Sequence, residues 1–512
     1  MSNPLYDALR AGRSAGNGVL FVDNSGAALL DDIAFFDRAA RMATVLAAVR
    51  VRPGDRVAVQ VGKSIDALAL YLACVQSAAA FLPLNTAYTD SELDYFLGDA
   101  EPALFVVDPS RRESAMRLTS DRPVAVMTLG SAGDGTLAEA AHAASPREDA
   151  EPAANDALAA ILYTSGTTGR SKGAMLTQHN LLSNGRTLVE AWRFTPEDVL
   201  LHALPIFHTH GLFVAGNVAL LAGARMMFQP RFDLDEVLAA MPHATSMMGV
   251  PTFYTRLLDD ARFTRELAAH MRLFTSGSAP LLPETHRAFE ARTGQRILER
   301  YGMTETSMST SNPYEGERRA GTVGLPLPGV EVRIRDTASG ELIPDTDHDT
   351  IGMLEVRGPN VFRGYWRMPE KTREELLEDG FFITGDLVRR DADGYLTIVG
   401  RSRDLVITGG YNVYPKEVES VIDDIEGVRE SAVFGVPHPD LGEAVAAVIV
   451  PTADVSAEDT EALARRVPDA CAASLARFKV PKQVMVLDAL PRNTMGKVQK
   501  NQLRQDYRDL FA

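Results

Sequence analysis

The stretch Tyr163-Thr164-Ser165-Gly166-Thr167-Thr168-Gly169-Arg170-Ser171-Lys172-Gly173 gathers the densest set of anion-binding groups in the chain. Glycine, serine and threonine in a loop after a strand offer backbone N–H groups and hydroxyls to an anion without obstruction. Arg170 and Lys172 add positive charge. The loop lacks the G-x-x-x-x-G-K-[ST] spacing of an ordinary nucleoside-triphosphatase phosphate loop, because Ser171 precedes Lys172. In Pro205-Ile206-Phe207-His208-Thr209-His210-Gly211, aromatic and imidazole groups follow a strand and can line a pocket. His208 and His210 have no third ligand nearby, which excludes a zinc site. Arg300-Tyr301-Gly302-Met303-Thr304-Glu305 sets a cation, a stacking ring, a hydroxyl and a carboxylate close together. Asp386 closes Thr384-Gly385-Asp386. Lys497 ends Pro491-Arg492-Asn493-Thr494-Met495-Gly496-Lys497, a P-x₄-G-K spacing that puts an amine on a glycine-flanked segment.

These groups need a scaffold, and the length and composition supply one. A chain of 512 residues calls for a large body plus at least one further domain. Apolar content of 46% and a mean hydropathy of −0.07 describe a globular protein with large cores. The formal charge of −16 disfavours nucleic acid and anionic membranes as partners, so any basic pocket is local. Only Cys74 and Cys471 occur, which fits a reducing compartment, and Cys74 sits in the apolar helical run Ile65–Val75 as a core residue. No basic segment followed by an apolar one opens the chain, and no apolar run reaches membrane-spanning length; a cytoplasmic protein is expected.

Coarse periodicity places the motifs. A helix is expected from Asp31 to about Val49, and strands at Val57–Val59 and Leu104–Val107, with a helix near Ser91–Leu97. The run Leu158–Leu162 reads as a buried strand feeding the Gly/Ser/Thr loop, and a helix follows from about Asn180 to Trp192. Val199–Leu204 is the strand before His208. Apolar strands alternating with helices indicate α/β layers around mainly parallel sheets. Residues 130–155, rich in Ala, Gly, Asp and Glu, read as exposed connection. After Arg401 the pattern changes to a small α+β domain: strands at Glu430–Val436, Val445–Val450 and Val484–Asp488, and a helix at Glu458–Leu475. Residues 1–401 and 402–512 are therefore the expected domains.

The order of these motifs, together with Gly321-Thr322-Val323-Gly324 and Gly400-Arg401-Ser402-Arg403-Asp404, resembles the adenylate-forming superfamily over nearly the whole chain. That superfamily includes acyl-CoA synthetases, peptide-synthetase adenylation domains and luciferases. The resemblance implies a large N-terminal multi-subdomain α/β body and a small mobile C-terminal α+β domain that turns about Asp404. It implies ATP, Mg²⁺ and coenzyme A. ATP would lie on Thr164, Ser165, Gly166, Thr167, Thr168, Gly169 and Lys172, on Ser278-Ala279-Pro280, and on Glu299, Arg300, Tyr301 and Gly302. Asp386 and Arg401 would take the ribose and phosphate end. Thr304 would hydrogen-bond the α-phosphate, Glu305 with Thr168 would hold Mg²⁺, and Lys497 would stabilise charge at the α-phosphate. His208, Gly409 and Gly410 would border the coenzyme A channel.

Within the superfamily, Leu204–Gly211, Met248–Leu257 and Arg300–Pro313 resemble malonyl-CoA synthetases. A dicarboxylate gives one carboxylate to ATP and needs a cation for the other. Arg256 is the first candidate and Arg300 the second, with Met303 and Ser307 setting the pocket's depth. Malonate, with methylmalonate, is the expected acid; a short monocarboxylate such as acetate or propionate is the alternative. No carrier-protein segment with an attachment serine follows residue 512, which disfavours a peptide-synthetase module, and a luciferase-like oxidoreductase would consume oxygen. The expected partners are small molecules, the expected state a monomer or weak homodimer, and Lys497 is an expected target of a lysine acetyltransferase.

Overall fold

Short apolar runs bounded by turn residues become the inner strands of two largely parallel sheets, whose faces are both buried and so need no polar alternation. The computed structural model describes residues 2–14, 18–164, 171–409, 411–453, 455–493 and 496–511. One six-stranded sheet runs in the order Ala125–Thr128, Leu104–Val107, Arg56–Gln60, Ala80–Pro83, Leu158–Thr164, Lys172–Thr177. Its strands are parallel apart from the closing pair, where Thr164 lies opposite Lys172. A nine-stranded sheet runs Leu325–Pro326, Ser307–Ser311, Leu298–Met303, Leu273–Ser276, Ser246–Gly249, Val199–His202, Arg225–Phe228, Val19–Val22, Ala28–Asp31. Its six inner strands, Leu298–Met303 through Val19–Val22, are parallel.

Helices cover these sheets. Ile65–Gln76 is buried on every side from Ala67 onward, and Ser64 caps its first turn through Ala67 N–H. Cys74 is fully buried there, as expected of a core residue. Asp31 caps Asp32–Ala48 in the same way. Residues 130–155 depart from the expected exposed connection: Thr136–Ala143 is a helix, and Leu137, Ala138 and Ala141 pack into the main core. Their i, i+1, i+4 spacing makes a narrow apolar stripe that the alanine-rich composition conceals.

By packing, the chain divides into residues 1–331 with 356–382, and residues 332–355 with 383–512. The second unit holds most of a five-stranded sheet that includes Phe382–Arg390 and Leu396–Arg401. It also holds the sheet Tyr411–Val413, Val406–Thr408, Gly442–Pro451, Val428–His438, with Gln483–Val486 parallel to Gly442–Pro451. Helices Pro415–Asp423 and Ala457–Ser474 close a core of Val418, Ile422, Val433, Ile449 and Val467. Among the described residues no helix is long and apolar enough to cross a membrane.

Where Gly321-Thr322-Val323-Gly324 passes the edge of the large sheet, the backbones touch. Gly324 has φ +78°, and a Cβ there would lie 2.1 Å from the backbone of Ser311 and Asn312. Gly324→Ala should therefore destabilise this unit by about 2–4 kcal/mol, combining the cost of a left-handed L-residue with overpacking. A thermal melt within a degree or so of wild type would contradict that reading.

Candidate active site

In α/β sheets, ligands bind beyond the carboxyl ends of the parallel strands. Four such ends in the nine-stranded sheet, at His202, Gly249, Ser276 and Met303, lead into the segments that hold expected residues. After Ser276 the chain passes through Gly277 to Ser278, a non-glycine residue held at φ +68°. Ser278 Oγ lies 3.2 Å from His210 Nδ1. His210 opens the wide helical turn His210–Gly216 and is 1% exposed, with Nε2 lacking a hydrogen-bond partner. Burial, and then the nearby Arg300 cation, push its pKa well below the ordinary value, so the ring is neutral.

Arg300 decides the electrostatics of this region. It is 3% exposed, and neither Nε nor Nη2 has a hydrogen-bond partner. No carboxylate pairs with it among the described residues, and its guanidinium rests on Gly277, where a Cβ would lie 2.0 Å from Nη1. Burial pushes its pKa down to about 10, which still leaves it charged at neutral pH. Such an ion costs several kcal/mol to keep out of water, and only a counter-charge offsets that. Ser307 Oγ and Thr275 Oγ1 are likewise buried without partners. Ser307 is held at φ +47°, and Met303 is half-buried beside it in the antiparallel pair.

Arg256 does not share this environment. In the helix Pro251–Leu258, Tyr254 and Leu257 are the buried residues, and Arg256 is exposed, its guanidinium 6.0 Å from the centre of the Phe232 ring. Position 256 thus falls off the helix's buried face, whereas Arg300, the second candidate cation for a second carboxylate, is buried.

The turn after Met303 carries Thr304, half-buried, and Glu305, 5% exposed. Glu305 Oε1 lies 3.4 Å from Thr164 Oγ1 and 3.1 Å from the Tyr365 hydroxyl. Tyr301 is buried, its hydroxyl 3.8 Å from Met303 Sδ. Gly302 is obligatory, since a Cβ would lie 1.8 Å from the Ser307 carbonyl. Ala279 is half-buried and Pro280 exposed. Ser165, Gly166, Thr167, Thr168, Gly169 and Gly410 lie outside the described residues.

Two expected nucleotide contacts are engaged elsewhere. The Glu299 carboxylate takes His286 Nδ1 at 2.9 Å and the Gly321 N–H at 3.2 Å, bracing the chain beside it. Burial raises its pKa. Lys172 is 8% exposed, with its ammonium 3.2 Å from both Glu375 Oε1 and the Tyr365 hydroxyl. Tyr365 and Glu375 were not among the expected site residues. His208 is half-buried, and its Nδ1 accepts from the His210 N–H at 3.3 Å.

In the second unit, Asp386 is 3% exposed and faces Arg401 across an antiparallel pair, with Arg401 Nε 2.9 Å from Oδ1. Asp404 Oδ1 accepts from Arg504 at 3.1 Å. Gly409 has φ +56° and follows the strand Val406–Thr408. Lys497 is exposed on a small hairpin in which its N–H donates to Asn493 Oδ1 at 3.0 Å.

Residues 34–366 match the AMP-binding enzyme family, and residues 417–497 match the AMP-binding enzyme C-terminal domain. The chain belongs to the AMP-binding enzyme family. Family relatives include a probable CoA ligase from Humulus lupulus, 40% identical over 69% of this chain, which spans 61% of that relative's length. A malonate–CoA ligase from Arabidopsis thaliana is 35% identical over 88% of this chain and 78% of its own. The crystal structure of ATP-bound MatB from Rhodopseudomonas palustris is 54% identical with full coverage of both chains and a TM-score of 0.95. This chain has the family's mixed α/β fold, with a large N-terminal body and a small C-terminal domain.

An exposed arginine on a helix surface contributes little. Arg256→Ala should change the catalytic efficiency toward the acid by no more than about twofold, the usual scale for a surface substitution. A loss of tenfold or more in steady-state kinetics would return Arg256 to the pocket.

Proposed function

We propose that this enzyme ligates malonate to coenzyme A in two steps, forming malonyl-AMP with release of pyrophosphate and then malonyl-CoA with release of AMP. The observation that carries the choice of acid is Arg300: a buried guanidinium beside His210 and Ser278, with two N–H groups lacking acceptors. One carboxylate of malonate reacts with ATP, and the other satisfies this cation. A monocarboxylate would leave it orphaned, and a site whose buried polar group is unpaired can reject an analogue by about 10⁴. Methylmalonate adds one methyl group, a change that costs only about 1–3 kcal/mol in an apolar pocket. The malonate–CoA ligase among the relatives supports the same acid.

In the first step a carboxylate oxygen of malonate attacks the α-phosphorus of ATP and the bond to pyrophosphate breaks. Tyr301 stacks on adenine and Thr304 donates to the α-phosphate. Lys497 stabilises the charge developing there, which requires its hairpin to reach the nucleotide. Glu305 is a hard oxygen ligand of the kind Mg²⁺ uses alongside substrate phosphates, so the residues present fit that ion. When bound, Mg²⁺ neutralises phosphate charge as pyrophosphate departs. Asp386 accepts from the ribose hydroxyls, with Arg401 alongside. In the second step the thiol of coenzyme A attacks the acyl carbonyl and AMP leaves, with His208, Gly409 and Gly410 bordering the thiol's path. Residues 402–512 turn about Asp404 between the steps. The enzyme acts in the cytoplasm as a monomer or weak homodimer, and acetylation of the exposed Lys497 removes the charge on which adenylation depends.

Arg300→Gln should lower malonate efficiency in ATP–pyrophosphate exchange by ~2–5 kcal/mol, the cost of losing one partner of a buried charge pair. Exchange with acetate should hold or rise. Equal losses for both acids would make Arg300 a structural cation and set the dicarboxylate reading aside.

Lys497→Ala should reduce exchange by ~10²-fold or more, as for loss of one preorganised charge-stabilising group. The same variant should convert supplied malonyl-AMP and coenzyme A to thioester at a near-normal rate. Proportional loss of both steps would contradict the division of labour.

A further inference from the structure

Lys172, Glu375, Tyr365 and Glu305 form one connected group in the large unit. Tyr365 is 3% exposed, and its hydroxyl lies 2.6 Å from Glu375 Oε2, 3.1 Å from Glu305 Oε1 and 3.2 Å from Lys172 Nζ. The Lys172 ammonium also lies 3.2 and 3.3 Å from the two Glu375 oxygens, and 4.2 Å from the centre of the Tyr365 ring. Lys371 approaches Glu375 Oε1 from the same helix at 2.9 Å. The group joins residues up to 203 positions apart in sequence.

Counting hydrogens fixes the roles. A phenol has one hydrogen, and the two carboxylates share it: Glu375 Oε2 at 2.6 Å, in the range of a charge-assisted bond, and Glu305 Oε1 at 3.1 Å. Burial first, and the two carboxylates with it, raise the phenol's pKa and keep that hydrogen in place. Lys172 then donates to the phenolic oxygen and to Glu375. Its three donors face Glu375 and Tyr365, and its side chain is only 10% exposed.

We propose that Glu375 and Tyr365 are positioning residues for adenylation: Glu375 fixes the Lys172 ammonium, and Tyr365 spans Glu375 and Glu305, so that Lys172 braces Glu305 instead of touching the nucleotide's phosphates. The carboxylate of Glu305 is thereby held at a set distance from the strand end that carries Thr164. Backbone restraints complete the frame, since the Phe362 N–H donates to the Glu305 carbonyl at 2.8 Å and the Trp366 N–H to the Gly173 carbonyl at 2.7 Å. The inference rests on Glu305 serving the nucleotide, and on nothing about which acid is activated.

The test is a double-mutant cycle with Lys172→Met, the near-isosteric Glu375→Gln, and both together, with Tyr365→Phe as a third probe. ATP affinity is measured by calorimetry without acid, and ATP–pyrophosphate exchange with malonate. Each single variant should lower the exchange rate by about 10–100-fold, the range for residues that orient site ligands from behind. The double variant should fall little further than the worse single, because coupled residues are not additive. ATP affinity should stay within about twofold in Lys172→Met, whereas a lost phosphate contact would weaken it about tenfold or more. Multiplicative losses, a tenfold loss of ATP affinity in Lys172→Met, or unchanged exchange in Glu375→Gln each overturn the proposal. Failure of the wild-type enzyme to exchange with malonate while exchanging with another acid would count against the functional reading alone.

Discussion

A guanidinium held at 3% exposure, with no carboxylate paired to it among the described residues, is the constraint on which its surroundings in the large unit depend. Arg300 can lie there only because Gly277 has no side chain, and Gly277 is where the strand Leu273–Ser276 hands over to Ser278. The parallel pairing of that strand with Leu298–Met303 sets the two segments side by side. Ser278, strained at φ +68°, holds the imidazole of His210 against the same space. His210 is neutral partly because Arg300 is charged, so the pocket presents one full cation and several neutral polar atoms. An environment of this kind is unstable while empty of a counter-charge, and a ligand that supplies one gains what the protein alone forgoes.

The group around Glu305 follows the opposite rule. Lys172, Glu375, Tyr365 and Glu305 satisfy one another, leaving no orphaned buried cation. In the function proposed here, selectivity for the acid comes from a charge left unpaired, whereas rigidity around Glu305 comes from charges that are fully paired. Both are buried, and only the pairing distinguishes them.

Motif content was legible in the sequence because it is local. Thr304 and Glu305 lie on one turn, the motif from Pro491 to Lys497 is contiguous in sequence, and Ile65–Gln76 announces itself as an all-round apolar helix. Side-chain direction was less legible. In Pro251–Leu258 the buried pair Tyr254 and Leu257 defines the inward face, and attention to that i, i+3 spacing would have placed Arg256 outside it. Arg300 lies in a strand whose first four residues are all buried, so alternation gave no clue to its side. Tyr365 and Glu375 carried no local signal, since their role exists only through contacts with Lys172 and Glu305 far away in the chain. The helix Thr136–Ala143 hid in an alanine-rich stretch for a similar reason: three small apolar residues suffice once a core is waiting for them.

The central claim is that Arg300 receives the acid's second carboxylate. The most direct measurement is a crystal structure of the enzyme with a non-hydrolysable malonyl-AMP analogue in which the acyl–phosphate bond is replaced by an acyl sulfamate. The account predicts the free carboxylate against the Arg300 guanidinium at charge-assisted hydrogen-bond distance, about 2.7–2.9 Å. A free carboxylate pointing to solvent, or paired with another cation while Arg300 stays unpartnered, would contradict it.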